Sequence, residues 1–193
     1  MVIKMNDTNN SHKIKKKLRK TNFIFEGLSL IRIVLISMIV FLIAINCLIR
    51  PTYINGNSMY PFLEDGQIGI TNVIGVYVGE IERFDVVTVY DHVEEKNLAK
   101  RVIGLPGETL EYRNGTLYIN GEVIEETFLD DDYVNEQTNN GSIPFTSNYG
   151  PIELGEDEYF LCGDNRRVSR DSRELGPFEK SEIISKDFLI VFN

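Results

Sequence analysis

The chain has 193 residues, of which 42% are hydrophobic and 25% charged, a composition typical of one globular domain with an appendage. Residues 1–32 carry eight lysines or arginines and two carboxylates, so the net charge of −9 leaves −15 on the remaining chain. An acidic body argues against nucleic-acid binding by that part of the protein. One of the two cysteines, Cys47, lies in an apolar run, so the composition predicts no disulfide, and no Cys/His cluster indicates a zinc site.

The first element is a basic tail, residues 1–27, of which we expect the lysine-rich residues 1–20 to be disordered. Such a tail could bind nucleic acid or anionic lipid, and the apolar segment that follows it favours lipid.

An apolar segment over residues 28–49 comes next, with Arg32 as its charged residue and only Ser37 and Asn46 as polar side chains from Ile33 onward. A bilayer core requires about 20 apolar residues in a helix. The alternative is a cleaved secretory signal, but no small-x-small cleavage site follows the segment. The sequence therefore predicts an uncleaved transmembrane signal-anchor, with the preceding basic residues in the cytosol and the body on the extracytoplasmic side.

Residues 50–193 are predicted to be mainly β. No long stretch shows the periodicity of a helix, and short runs rich in Val, Ile, Tyr and Phe occur instead. The runs are Gln67–Asn72, Asp85–Tyr90, Leu98–Gly104, Thr109–Tyr112, Leu117–Asn120, Glu158–Cys162 and Asp187–Phe192. Asn114-Gly115 and Asn120-Gly121 are hairpin turn signals. This pattern predicts a compact all-β domain of twisted antiparallel sheets after a single transmembrane helix.

Residues 125–155 differ from the rest of the body and are interpreted as a variable insertion at its edge. They contain three consecutive aspartates, Asp130 to Asp132, and several Asn, Ser and Thr residues. The aspartates could hold calcium, but their spacing is not that of an EF-hand loop. A solvated acidic face is the preferred interpretation, and nothing in the segment demands chemistry.

The candidate nucleophile is Ser58, which lies in the turn-rich run Ile54–Gly66 shortly after the apolar segment. Gly56 and Pro61 predict a turn that lifts the serine out of regular structure, although a plain polar loop is the alternative. A serine nucleophile usually needs an imidazole base. His92 is the only histidine in the body, and it precedes an exposed charged turn, so a surface role is the better interpretation.

Lys100 is the remaining candidate base, in a strand that we expect to be half or fully buried. A free lysine has a pKa near 10.4, but burial lowers it by several units and yields a neutral amine. Such an amine can take a proton from a serine hydroxyl. An exposed lysine or a salt bridge is the alternative for Lys100 taken alone.

Three runs together resemble the bacterial type I signal peptidases, Gram-positive-like membrane serine proteases with a Ser–Lys dyad. The first is Asn57–Pro61, the second is Lys100–Glu108 and the third is Gly163–Gly176. They occur in the family's order behind an N-terminal anchor. The resemblance implies a serine endopeptidase that removes N-terminal signal peptides from secreted pre-proteins through an acyl-enzyme.

The resemblance also implies roles for individual residues. Ser58 is expected to be the nucleophile, Lys100 the general base and Ser169 the residue that orients the lysine amine. The residues expected to hold the site together are Asp164, Asn165, Arg166, Asp171, Ser172 and Arg173, with Asp171 and Arg173 as an ion pair. The backbone N–H of Ser58, in the Gly56 region, is the expected oxyanion donor. Phe84 departs from the family's usual glycine, which places the local turn in doubt.

Secretory pre-proteins with Ala-x-Ala-type cleavage sites and the lipid bilayer are the expected partners, without nucleic acid, metal or other cofactor. Two alternatives remain. One is a self-cleaving, DNA-binding regulator with the same dyad, which the apolar segment and the lack of a helix-turn-helix pattern disfavour. The other is a membrane-tethered β domain without catalysis, whose function would be insensitive to Ser58 and Lys100.

Overall fold

The computed structural model describes residues 26–45 and 48–192. The chain divides into two compact units, residues 1–46 and 47–193. In the first unit, the helix α1 (Glu26–Ile45) is long and apolar enough to cross a membrane. Most of the predicted basic tail lies outside the described residues. The described helix runs to Ile45 and the first strand begins at Ile49, while residues 46 and 47 of the predicted span 28–49 lie outside the described residues.

The second unit is mainly β, as predicted. Its strands are β1 (Ile49–Tyr53), β2 (Ile68–Asn72), β3 (Val86–Asp91), β4 (Lys96–Gly104), β5 (Thr109–Arg113), β6 (Thr116–Ile119), β7 (Glu122–Ile124), β8 (Tyr149–Glu153), β9 (Glu158–Cys162), β10 (Phe178–Glu179) and β11 (Ile183–Phe192). Its helical elements are α2 (Gly75–Val78), α3 (Asp131–Gln137), α4 (Ser172–Leu175) and a 3-10 turn at Lys180–Glu182.

The strands form two sheets, and every described pairing is antiparallel. The larger sheet has the order β1-β2-β11-β3-β4-β9-β10, and the smaller has the order β7-β6-β5-β8. The predicted fold class is therefore confirmed. The order places β4, with Lys100, between β3 and β9, and the third motif follows β9 directly.

Both predicted hairpin turns are present. Arg113 pairs with Thr116, which leaves Asn114 and Gly115 as a two-residue loop at φ 51° and 84°. Positive φ at both central positions is the geometry that Asn-Gly favours, because its twist matches that of the flanking strands. The same geometry recurs at Asn120-Gly121, so β5, β6 and β7 form a meander that local sequence specifies.

Strand residues supply most of the core: β5 and β6 bury alternate residues, whereas β3 and β9 bury nearly every residue. One buried cluster includes Val87, Val89, Val102 and Leu161, and a second includes Leu110, Tyr112 and Phe160. A third and smaller cluster contains Ile54, Met59, Leu63 and Val86. Three members of this cluster, Ile54, Met59 and Leu63, lie on either side of Ser58 in the sequence and anchor the loop that carries it.

The segment 125–155 is more than a solvated edge. β8 pairs with β5 and completes the smaller sheet, and α3 is capped by Asp130, whose side chain accepts a hydrogen bond from Tyr133 N. The aspartate run is thus the start of a helix, where carboxylates are favourable. The segment also supplies Glu126 to a buried ion pair, which the sequence did not indicate.

Candidate active site

The loop that carries Ser58 is closed at its base by backbone hydrogen bonds. Ile54 N donates to Gln67 O over 2.9 Å, and Gly66 N donates to Ile54 O over 3.0 Å. Met59 is 1% exposed and packs into the third core cluster. Met59 is buried and holds the loop against the domain, whereas Ser58 is only half-buried. The loop therefore keeps the serine accessible at a fixed position on the surface of the domain.

Lys100 occupies the middle of β4 and is 1% exposed. Its Nζ donates to Ser169 Oγ over 3.1 Å. Among the described residues, no carboxylate lies within salt-bridge distance of Lys100 Nζ. The lysine is therefore neither exposed nor in a direct salt bridge, the two alternatives that the sequence left open.

Burial lowers the pKa of Lys100 from 10.5 to about 8, while the negative charge of Asp171 acts in the opposite direction. The cause is the loss of water around the ammonium group, which destabilises the charged form. With a pKa of about 8, about one lysine in ten is neutral at pH 7. A base with a pKa near the working pH is suited to proton transfer.

Gly163 lies where the serine loop meets the lysine's partner. A Cβ added to Gly163 would lie 2.2 Å from Ser58 O and 2.3 Å from Ser169 Oγ. Only glycine permits this approach. Asn165 N also donates to Ser58 O over 3.1 Å, so the third motif holds the backbone of Ser58 next to Ser169. Among the described residues the Ser58 side chain makes no hydrogen bond, and catalytic hydrogen bonds often tighten only when substrate binds.

Arg101, next to Lys100 on β4, joins the strand to the third motif. Its guanidinium binds Asp164 through two hydrogen bonds, of 2.8 and 2.6 Å, and also donates to Phe84 O over 2.9 Å. The bidentate geometry fixes both distance and orientation. Phe84 has φ 75°, a conformation that favours glycine, so the turn persists although its residue is atypical.

Asp171 connects the elements beneath the lysine. It pairs with Arg173 through two contacts of 2.8 Å and accepts a hydrogen bond from Gly163 N over 3.0 Å. Burial alone raises the pKa of the Asp171 carboxyl, but the hydrogen bonds from Arg173 and Gly163 outweigh burial and lower it. The Asp171 carboxylate therefore stays charged and holds Gly163 in place. The next residue, Ser172, is fully buried, and its hydroxyl oxygen accepts a hydrogen bond from Leu161 N over 2.9 Å.

Asn165 makes two contacts with the serine loop. Besides its backbone contact with Ser58, its Nδ2 donates to Asn57 O over 3.0 Å. Its Oδ1 is buried and has no hydrogen-bond partner among the residues that the structure describes. The side chain of Asn165 thus contacts the serine loop through its NH₂ group and not through its carbonyl oxygen.

A family model described as signal peptidase, peptidase S26, matches residues 27–192. The chain belongs to the signal peptidase family. A signal peptidase I P of Bacillus subtilis subsp. natto is 33% identical over 92% of this chain and 94% of its own length. A signal peptidase I T of Bacillus subtilis strain 168 is 32% identical over 97% and 95%, respectively.

A crystal structure of a signal peptidase I from Enterococcus faecalis is also similar. It has 32% sequence identity and a TM-score of 0.48, with coverage of 56% of this chain and 97% of that one.

The peptidase brings most of its predicted site residues into one region. Lys100 and Ser169 are in direct contact, and Ser58 is joined to them through the backbone around Gly163. His92, by contrast, has a side chain that is 69% exposed and lies near Glu182, which confirms the surface interpretation. Among the described residues, no group of three or more His, Cys, Asp or Glu side chains is arranged to hold a metal ion.

Sequence reasoning missed the partners of Arg166. This fully buried guanidinium donates to Glu126 over 2.5 Å, to the Tyr112 hydroxyl over 3.0 Å and to Thr146 Oγ1 over 2.9 Å, while its Nε donates to Gly163 O over 3.0 Å. Burial opposes the charge, yet Tyr112 and Glu126 raise the pKa of Arg166 well above its ordinary value. The segment 125–155 is therefore connected to the site through this arginine. No sequence motif joins Glu126 to Arg166.

Proposed function

We propose that Ser58 and Lys100 form the catalytic dyad of this peptidase. The observation that carries the proposal is the buried Lys100 amine, whose pKa is about 8 and whose Nζ contacts Ser169 Oγ. Membership of the family makes the chain a serine endopeptidase that removes signal peptides from secretory pre-proteins.

The substrate is proposed to bind as an added strand on β4. Residues 96–101 of β4 pair with β3 on one side, whereas β9 pairs with β4 only from Arg101 onward. Among the described strands, the second edge of residues 96–100 is therefore unpaired. An extended peptide can donate and accept hydrogen bonds along such an edge, and it would then lead directly to Lys100.

Small side chains are proposed to flank the cleaved bond, as in Ala-x-Ala sites. Ala99 precedes Lys100, is only partly buried and packs against the cluster of Ile54, Met59 and Val86. This surface is apolar, and we propose that it forms a shallow pocket next to the serine loop. A methyl group would be accommodated there, whereas a long side chain would have to displace buried residues.

The reaction would proceed in two stages. Neutral Lys100 takes the proton of Ser58 Oγ as the oxygen attacks the carbonyl carbon, and the resulting oxyanion is stabilised by the Ser58 N–H near Gly56. The protonated lysine then gives its proton to the leaving amine, which departs as the new N-terminus of the mature protein. Lys100 next activates a water that attacks the acyl-enzyme, and the signal peptide leaves with a free carboxylate.

Ser169 is proposed to orient the amine through its 3.1 Å contact. Five further residues are proposed to hold the backbone of Ser169 and Ser58 in position, namely Asp164, Arg166, Asp171, Ser172 and Arg173.

Helix α1 is proposed to anchor the peptidase in the membrane with its N-terminus in the cytosol, because positive charge precedes the helix. A shared membrane then raises the effective concentration of substrate without tight binding.

The test is cleavage of a model pre-protein with an Ala-x-Ala site by the full chain in detergent. Ser58→Ala and Lys100→Met should each abolish cleavage while the far-ultraviolet circular dichroism stays unchanged. His92→Ala is the matched control, because His92 is the other candidate base and is exposed, and it should retain full activity. Full activity in either dyad variant would remove that residue from the chemistry.

A further inference from the structure

We propose that Asn165 is a positioning residue that orients the peptide group supplying the oxyanion donor. The observation is the 3.0 Å hydrogen bond from Asn165 Nδ2 to Asn57 O. The inference rests on the proposed roles of Ser58 and its N–H in catalysis. It assigns to Asn165 a function beyond holding the site together.

The argument depends on the planarity of one peptide bond. The carbonyl of Asn57 and the N–H of Ser58 belong to the same peptide group. Because a trans peptide is planar, its C=O and N–H point in opposite directions. A donor that binds the Asn57 oxygen therefore fixes where the Ser58 N–H points, and it leaves that N–H directed away from Asn165.

The Ser58 N–H is available for this role. Among the described residues, it donates to no acceptor within the protein. Charge that develops only in the transition state is stabilised by a hydrogen-bond donor that is already oriented and that has no other acceptor. The second bond of Asn165, from its backbone N to Ser58 O over 3.1 Å, restrains the following peptide group. Asn165 thus holds both peptide groups that flank the nucleophile.

Asn165 is itself well fixed. It is 5% exposed, and it follows Asp164, which is bound bidentately by Arg101 on β4. A rotated amide would place Oδ1 against the Asn57 oxygen, so two acceptors would face each other. A second donor, Tyr60 N, also reaches Asn57 O over a longer distance of 3.3 Å. Loss of the Asn165 donor should therefore weaken the orientation of the peptide without abolishing it.

The experiment uses Asn165→Asp and Asn165→Ala in the full chain. The aspartate keeps the size of the side chain but removes the donor. Complete loss of one oxyanion donor lowers kcat by about 100- to 1,000-fold. Because the Tyr60 contact remains, we expect kcat to fall by about 10- to 100-fold with KM nearly unchanged. Asn135→Asp, which makes the same change at an exposed position of α3, is the control and should not alter kcat.

Two probes separate orientation of the oxyanion donor from general disruption. A peptide boronic acid ending in alanine accepts Ser58 Oγ at boron while the serine proton passes to the neutral Lys100 amine, and a hydroxyl of the resulting tetrahedral boronate takes the position of the oxyanion. The corresponding peptide amide binds without that group. The affinity of the boronic acid should fall by the same factor as kcat/KM, while the affinity of the amide and the pH profile stay unchanged.

Several results would overturn the proposal. Unchanged kcat in both Asn165 variants would do so directly. Reduced kcat/KM with unchanged boronic acid affinity would place the effect on Lys100 or on product release. Parallel loss of boronic acid and amide binding would show collapse of the site. A wild-type chain inert towards pre-proteins would instead refute the proposed function, and with it the basis of this inference.

Discussion

The pH dependence of cleavage tests the state of Lys100 directly. The side chain is 1% exposed, and its burial lowers the pKa from 10.5 to about 8. Only the neutral amine can accept the Ser58 proton. The fraction of active enzyme should therefore rise with pH until it levels off above the pKa of Lys100.

The size of the effect follows from this pKa. With a value of about 8, the neutral fraction is about 1% at pH 6 and about half at pH 8. The value of kcat/KM should thus rise roughly 50-fold over that interval and less than twofold from pH 8 to 9. A lysine with an ordinary pKa would instead give a rise of about tenfold for every pH unit through pH 9.

The assay is the initial rate of cleavage of a peptide with an Ala-x-Ala site, measured from pH 6 to 9 at constant ionic strength. Ser58→Ala supplies the background at each pH. The chain has nine tyrosines and no tryptophan, so near-ultraviolet tyrosine circular dichroism can monitor folding across the range. A flat profile would refute the role of a neutral lysine, and a slope that continues to pH 9 would refute the effect of burial on its pKa.

Three further predictions concern single substitutions. Lys100→Met should abolish cleavage yet raise the free energy of unfolding at pH 7 by about 1–3 kcal/mol, because the folded state no longer buries an ammonium group. A lower free energy of unfolding in urea denaturation would contradict this prediction. Glu126→Gln should leave the charge of Arg166 buried without its partner and destabilise the fold by about 3–5 kcal/mol, whereas the exposed neighbour variant Glu125→Gln should change stability by less than about 0.5 kcal/mol in the same denaturation experiment. Ser169→Ala should lower kcat without unfolding the domain, since Lys100 loses its contact, and unchanged kinetics would exclude an orienting role.

The lowered pKa of Lys100 also determines the direction in which folding stability changes with pH. The pKa of Lys100 is lower in the folded state than in the unfolded state, so the unfolded chain binds more protons between pH 8 and 10.5. Folding stability from this group should therefore increase as pH rises through that interval. At pH 7 the full cost of burying the charge is present, which is why removal of the amine is stabilising there.

Local sequence was sufficient for several features. Asn-Gly at residues 114–115 and 120–121 fixed two hairpins, because few other residue pairs accept positive φ twice. Short runs rich in Val, Ile, Tyr and Phe placed six of the seven predicted strands within two residues of their observed bounds, as at Glu158–Cys162. The apolar run before the body likewise predicted helix α1, since its length and composition match those of a bilayer span.

Other features depended on contacts between distant parts of the chain. The lowered pKa of Lys100 requires the packing that excludes water, and its partner Ser169 lies 69 residues further along. Arg166 and Glu126 are 40 residues apart, and no spacing rule predicts that two such charges will be buried together.

By itself, the sequence predicted the apolar helix, the β class and the candidate serine and lysine, because composition, turn chemistry and short motifs are local properties. Only the tertiary structure decided which groups lose their water and which carbonyls receive a donor, since these depend on strands and loops that folding brings together. The hydrogen bond from Asn165 to the Asn57 carbonyl, 108 residues apart in the chain, belongs to this second class.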